Sequence, residues 1–216
     1  MKDTKVRLYV DHPLGEGQSV ALTREQGHYL FGVMRLGTGD RLAVFNGADG
    51  EWRVAVAEAG KRGGVLECLE QVAGQGAAPD LWLLFAPIKK ARTDFIVEKA
   101  VEMGVARICP VQTAFTNSER IRRDRLQAHA TEAAEHCGIT YVPEVADLTK
   151  LDRLLADWPD GRRLLFCDEA LAPKSASSFE KYSGGPGAEP PAFAILIGAE
   201  GGFSDADRER LNAMPF

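Results

Sequence analysis

Residues 194–204 read AILIGAEGGFS, and no other stretch constrains the chain as tightly. An apolar run of strand length stops at Gly198. Glu200, Gly201 and Gly202 follow, and Ser204, Asp205 and Asp207 then open a helix. The glycines allow a sharp turn and bring main-chain N–H and C=O groups against a ligand with no side chain between them. Ser204 is a good N-cap, and acids in the first turn suit the positive end of the helix dipole. Those same carboxylates would repel a phosphate, and no Gly-Lys-Ser/Thr follows, so this is not a P-loop. A neutral or cationic group read by main-chain atoms suits the loop better.

The rest of the chain supplies the setting. From residue 80 onward, strands (81–86, 107–111, 163–167, 193–197) alternate with helices (93–103, 118–137, 149–158, and from 204), and the strand runs are continuously apolar. That rhythm predicts an α/β domain with a parallel sheet covered on both faces. Ligands of such sheets sit beyond the carboxyl ends of the strands. Gly198–Gly202, Cys167-Asp168-Glu169 and Gln112-Thr113 all fall there. The stretch 170–191, rich in Ser, Gly and Pro, reads as a long mobile loop.

Residues 6–73 read differently, as short strands with tight turns. The strands are 6–10, 42–45, 51–56 and 65–69, with turns at 46–50 and 61–64. Thr23-Arg24-Glu25-Gln26 is a capping box opening one helix, whose Tyr29, Leu30, Val33 and Met34 keep helical spacing. A small β-barrel is expected over 1–73, a linker over 74–79 and the α/β domain over 80–216.

No apolar run is long enough to span a bilayer, and the N-terminus lacks a signal peptide's apolar segment. The four cysteines (Cys68, Cys109, Cys137, Cys167) have no paired spacing, so they read as reduced core thiols, with no metal expected. A cytoplasmic protein is expected. The net charge of −5 argues against a polyanion partner overall, yet residues 87–125 hold nine Lys and Arg against five acids. A local basic face of that kind suits nucleic acid, and solvated helix faces explain it equally well. His28 reads as a partly buried helix residue, His129 and His136 as surface or dimer-contact residues, and Trp52 and Trp82 as core.

The run Ile197-Gly198-Ala199-Glu200-Gly201-Gly202-Phe203-Ser204 resembles the IGPEGGFS signature of the RsmE family of 16S rRNA (uracil-N3)-methyltransferases. The resemblance extends over nearly the whole chain: Arg7-Leu8-Tyr9-Val10, Val33-Met34-Arg35-Leu36 with Gly39-Asp40, residues 98–105 (EKAVEMGV) and residues 132–138 (EAAEHCG) are similar to family motifs. It implies a PUA-like RNA-binding β-barrel followed by a SPOUT α/β domain with a trefoil knot, dimerising through the C-terminal domain. It further implies S-adenosyl-L-methionine as cofactor, 16S rRNA or the small ribosomal subunit as partner, and methylation of a uridine at N3. Three departures stand out. Ala199 replaces a proline, His136 and Ile139 replace polar family residues, and family members continue past the position of Phe216 with a segment that supplies a further cofactor loop and a last helix.

Taken with the loop, the resemblance points to Ile197, Gly198, Ala199, Glu200, Gly201, Gly202, Thr113, Phe166 and Asp168 for the cofactor. Arg7, Arg35, Lys89, Lys90, Arg92, Arg120, Arg122 and Arg123 are candidates for RNA phosphates. Uracil N3 carries a proton and is a poor nucleophile until it leaves, so the site needs a base or donors for the uracil anion. Glu200 is the candidate for a direct catalytic role, and the sequence identifies no base. Two other readings stay open: a non-catalytic RNA-binding protein of the same fold, and a SPOUT methyltransferase acting on another RNA.

Overall fold

The computed structural model describes residues 3–60, 63–118, 120–169 and 191–214. Two compact units emerge. The first comprises Met1–Ala77 with Ala134–Val142, the second Ala78–Ala133 with Pro143–Phe216.

The first unit is a five-stranded mixed sheet in the order β1-β3-β4-β5-β2, built from β1 (Asp3–Tyr9), β2 (Ser19–Ala21), β3 (Arg41–Phe45), β4 (Glu51–Gly60) and β5 (Gly63–Ala73). β1 and β3 pair in parallel and the other neighbours are antiparallel. Alternate residues of the strands (Val6, Leu8, Leu42, Val44, Val54, Val56) point into one core. Trp52 packs against that core and its indole N–H donates to the Asp49 carbonyl at 2.9 Å. β2 is too short for alternation to reveal, so no strand is expected there from sequence. The capping box forms as expected on α1 (Arg24–Gly27). The helix then widens into a π turn over His28–Val33, with the Met34 N–H bonded to the Tyr29 carbonyl at 2.9 Å. His28 lies exposed on it rather than partly buried.

The first unit also takes in a segment that linear reading assigns wholly to the second. Arg7 makes the attachment. Its guanidinium donates to the carbonyls of Ala134 (2.8 Å), Glu135 (2.9 Å) and Ile139 (3.1 Å) at the end of α3 (Arg123–Cys137). It is paired with Glu51 at 2.7 Å and lies over the Phe45 ring at 4.6 Å. A cation on the last carbonyls of a helix satisfies acceptors that have no partner within it and complements the dipole. Glu135 answers by accepting the Tyr9 N–H at 2.8 Å.

The second unit holds a parallel sheet in the order β10-β11-β6-β7-β8. Its strands are β6 (Leu81–Phe85), β7 (Arg107–Gln112), β8 (Glu144–Val145), β10 (Arg163–Cys167) and β11 (Phe193–Ile197), and the short β9 (Thr149–Lys150) pairs with β7 off this path. Leu84, Leu164, Leu196, Phe203 and Leu211 are buried in one cluster. Trp82 packs against it under two guanidinium groups, Arg162 at 3.8 Å and Arg107 at 4.9 Å from the ring centre.

Helix bounds differ from expectation for local reasons. α2 (Lys90–Glu102) starts three residues early, and the Thr93 hydroxyl bonds back to both the N–H and the C=O of Ile88 at 3.1 Å. α3 starts five residues late, because the Ser118 hydroxyl donates to the Arg120 carbonyl at 3.1 Å instead of capping a helix. α4 is short (Leu151–Ala156), its expected first turn having been taken by β9. α5 (Asp205–Asn212) begins where expected. The expected loop over 170–191 lies, but for Pro191, outside the described residues, as does part of the turn at 61–64.

Only two of the four cysteines are core thiols. Cys68 and Cys109 are buried, whereas Cys137 and Cys167 are exposed. Burial pushes the Cys109 thiol up to about 11, which leaves roughly one molecule in a thousand as thiolate at pH 8. Titration of the native protein with a chromogenic disulfide at pH 8 is therefore expected to label Cys137 quickly, Cys167 more slowly because partial burial raises its thiol pKa, and Cys68 and Cys109 only after denaturation. Fast labelling of Cys109 in the folded protein would contradict this packing.

Candidate functional site

The register aligns the carboxyl ends of four strands. Cys167 pairs with Ile197, Ile197 with Phe85, and Phe85 with Pro110. The connections leaving β6, β7, β10 and β11 therefore emerge along one edge of the sheet.

The loop after β11 is a tight turn in which the Gly202 N–H donates to the Ala199 carbonyl at 2.8 Å. Gly202 has φ +70°, which disfavours a side chain, and open space where a Cβ would stand. A Cβ on Gly198 would instead lie 3.1 Å from the Gly202 carbonyl and the Phe203 ring. Phe203 anchors the turn from below, buried against Phe166 in an edge-to-face contact at 5.9 Å. Ile197 and Phe115 flank the turn half exposed. Glu200 projects into solvent, 3.8 Å from an equally exposed Arg92, a spacing and exposure at which an ion pair contributes little.

Asp207 holds this geometry in place. Its carboxylate is almost fully buried and accepts from the Ser204 hydroxyl (2.8 Å) and the Ser204 N–H (3.2 Å), closing the capping box at the start of α5. It also accepts the Ala114 N–H at 3.2 Å, which ties the loop after β7 to the loop after β11. Thr113 beside it is buried, its N–H and hydroxyl engaged with the Thr116 hydroxyl at 2.9 and 3.0 Å. A second tie joins β10 to α5: Asp168 receives the Arg208 guanidinium at 2.6 and 3.2 Å. The Asp168 carboxylate, first among several causes, holds the Arg208 pKa above its ordinary value.

Two cavities lie along this edge. One, about 260 Å³, is lined by Pro87, Ile88, Lys89, Ser118, Ala199 and Glu200 among others. Its neighbour, about 420 Å³, shares the walls Pro87, Ile88 and Ser118 and adds Lys90, Asp94, Arg120, Arg122 and Arg125.

The structure sorts the residues expected from sequence. Ile197, Gly198, Ala199, Glu200, Gly201 and Gly202 form one exposed turn, with Thr113 tied close by. Phe166 belongs to the packing beneath. Asp168, expected at the cofactor, instead has its side chain 1% exposed and occupied by Arg208. Arg7, expected as a phosphate contact, has its donors spent inside the first unit. Arg35 is exposed at φ +55° just after the π turn. The basic residues of the second unit do not form one patch. Lys89 lines the smaller cavity, and Lys90, Arg120 and Arg122 the larger. Arg123 turns away, donating to the Val145 carbonyl at 2.7 Å beside a third cavity that includes Trp82 and Arg107. Sequence reasoning missed Arg125, Asp94, Phe115 and the tying role of Asp207. For the last there was a signal, an acid at the third position of a helix opened by Ser204.

Comparison with known proteins adds the missing context. Residues 76–216 match the RNA methyltransferase domain family, and residues 22–67 match the RNA methyltransferase PUA domain. The chain belongs to the RNA methyltransferase family. Among relatives of this methyltransferase chain, the ribosomal RNA small subunit methyltransferase E of Rickettsia conorii is 25% identical over 95% of this chain and 82% of its own. The protein of the same name from Synechocystis is 28% identical over 87% of this chain and 61% of its own. Two solved structures share the fold. A putative methyltransferase from Legionella pneumophila in complex with the cofactor SAM superposes with a TM-score of 0.81 at 23% identity, covering 97% of this chain and 86% of the other. The ribosomal RNA small subunit methyltransferase E of Neisseria gonorrhoeae, bound to S-adenosyl methionine, gives 0.82 at 22% identity, covering 97% and 85%.

The tie made by Asp207 can be tested against its neighbour. Asp207→Ala is expected to destabilise the methyltransferase domain by about 2–3 kcal/mol, a lost cap plus a lost buried hydrogen bond. Asp205→Ala, whose side chain is 99% exposed, is expected to stay within about 0.5 kcal/mol. Urea unfolding followed by circular dichroism distinguishes them, and equal losses would contradict the assignment.

Proposed function

We propose that this chain transfers the methyl group of S-adenosyl-L-methionine to N3 of a uridine in the 16S rRNA of the small ribosomal subunit, acting as a cytoplasmic homodimer through its C-terminal domain. The observation that carries the reading is the turn after β11, whose main chain is exposed at the carboxyl edge of a parallel sheet in a chain of the RNA methyltransferase family. Relatives named for small-subunit rRNA methylation support the substrate, and neighbours of the same fold bound to S-adenosylmethionine support the cofactor. Among the described residues no helix is long and apolar enough to cross a membrane.

The residues present fit such a cofactor. Gly202 opens onto free space, Ile197 and Phe115 offer half-exposed apolar surface for a purine, and Glu200 offers a carboxylate for an ammonium or a hydroxyl group. Main-chain atoms of Ile197, Gly198, Ala199, Gly201 and Gly202 would hold it, with Thr113 fixing the adjoining loop. When bound, the sulfonium supplies a methyl group activated for in-line displacement. The protein's share is to hold acceptor and donor in register and to deal with the N3 proton. Glu200, on the rim of the smaller cavity, is the proposed candidate to accept that proton. N3 lies on the Watson–Crick edge, so the uridine must be unpaired or flipped out to reach the site. Arg35, Lys89, Lys90, Arg92, Arg120 and Arg122 are the proposed phosphate contacts. Arg7 and Asp168 are given no part in binding, and Arg123 is left at the margin.

The test is direct. Small subunits from a strain lacking the modification are incubated with this protein and S-adenosylmethionine carrying a labelled methyl group, and the rRNA nucleosides are analysed by mass spectrometry. Labelled 3-methyluridine in 16S rRNA is expected. In a parallel reaction with total transfer RNA, label there and none in the subunits would overturn the substrate. RNA affinity with neither methyl transfer nor calorimetric binding of S-adenosylhomocysteine would favour a non-catalytic RNA-binding protein.

A further inference from the structure

The larger of the two cavities is not explained by cofactor binding. Its walls are of two kinds. Pro87, Ile88, Ile121 and Leu126 form an apolar surface, while Lys90, Arg120, Arg122 and Arg125 ring it with positive charge. At about 420 Å³ it suits a ligand the size of a single nucleotide. Apolar walls with cations around them match a planar base carrying a phosphate.

One of these cations is held differently from the others. Arg120 and Arg122 are exposed, Arg122 resting on the exposed Asp124 at 3.1 Å. Arg125 is about three-quarters buried, and its guanidinium is paired with Asp94, itself largely buried. The other Asp94 oxygen is buried without a hydrogen-bond partner, 3.8 Å from the His129 ring. Among the described residues, Asp94 is the hydrogen-bond and ion-pair partner of the Arg125 guanidinium. Asp94 lines the same cavity, and a guanidinium oriented by one neighbouring carboxylate presents its remaining donors in a fixed direction, which a lysine cannot reproduce.

Because this cavity shares Pro87, Ile88 and Ser118 with the cavity beside the Ala199–Glu200 turn, the geometry points to an acceptor-nucleotide seat. An unpaired nucleotide of the RNA lies with its base on the Ile88, Ile121 and Leu126 wall. Its phosphates meet Lys90, Arg120 and Arg122, and a base carbonyl oxygen accepts from Arg125. Asp94 is a positioning residue acting through Arg125. This assignment rests on the proposed function and adds to it the place where substrate and donor meet.

The experiment uses the full chain and three measurements: binding of a fluorescent single-stranded oligoribonucleotide containing one uridine, calorimetric binding of S-adenosylhomocysteine, and the kinetics of methyl transfer to unmodified small subunits. Lys90→Ala/Arg122→Ala is expected to weaken oligoribonucleotide binding about tenfold and to lower its salt slope by about 1.4, two phosphates at about 0.7 each. Cofactor-product binding should be unchanged. Arg125→Lys keeps the charge and loses the fork, so it is expected to raise KM for the subunit and lower kcat together. Asp94→Asn should do the same more weakly. If both the Lys90/Arg122 and the Arg125 variants bind the oligoribonucleotide and methylate subunits with unaltered KM, the cavity is not the acceptor seat. Failure of the unsubstituted protein to bind S-adenosylhomocysteine would instead sink the proposed function, while a loss of oligoribonucleotide binding in the variants would still place RNA in this cavity. If Arg125→Lys also loses cofactor-product binding, the exposed Lys90/Arg122 pair decides alone.

Discussion

The geometry of the candidate site depends on where one buried carboxylate, Asp207, sends its hydrogen bonds. It sits at the positive end of α5, accepts from Ser204 twice, and reaches across to the main chain of Ala114. A carboxylate that has left water must be compensated by several donors, and here the donors come from two different connections. The loops after β7 and β11 are therefore held to each other by the same group that starts the helix. Arg208 and Asp168 repeat the arrangement between α5 and β10. The first turns of α5 thus fasten three strand ends.

A turn built this way keeps side chains off its outer face, because they are absent or point elsewhere, while the Gly202 N–H closes it onto the Ala199 carbonyl. Phe203 is in the core, Glu200 is in solvent, and Gly201 and Gly202 have none. Beside it stands a cavity with the opposite character, ringed by cations. The edge of the sheet therefore offers neutral main-chain recognition on one side and a positive field on the other. The net charge of the chain is negative, so on the proposed reading a polyanion would meet a local feature such as this one rather than the molecule at large.

Much of this was legible in the sequence, and the failures have physical causes. The parallel strands announced themselves as continuous apolar runs, and β10 and β11 fall at the expected residues. The turn after β11 and the cap of α5 follow from Gly and Ser at fixed offsets, because their chemistry is local. What did not show were side chains whose partners are distant in the chain. Arg7 read as a free cation, but its donors go to carbonyls 127 or more residues away. Asp168 read as a ligand, and Arg208, 40 residues on, claims it. The same blindness hid Arg125 and Asp94, two unremarkable charges on separate helices that meet across the fold. Cys137 and Cys167 were taken for core by residue type, although helix ends and strand ends lie at the surface.

The central claim is that main-chain atoms of the turn after β11 grip a methyl donor. A crystal of the protein grown with S-adenosylhomocysteine tests it most directly. The account predicts the ligand lying along residues 197–202, with main-chain hydrogen bonds from that turn and its homocysteine sulfur facing the wall formed by Pro87, Ile88 and Ser118. Ligand bound elsewhere, or held through Asp168 after displacement of Arg208, would contradict it.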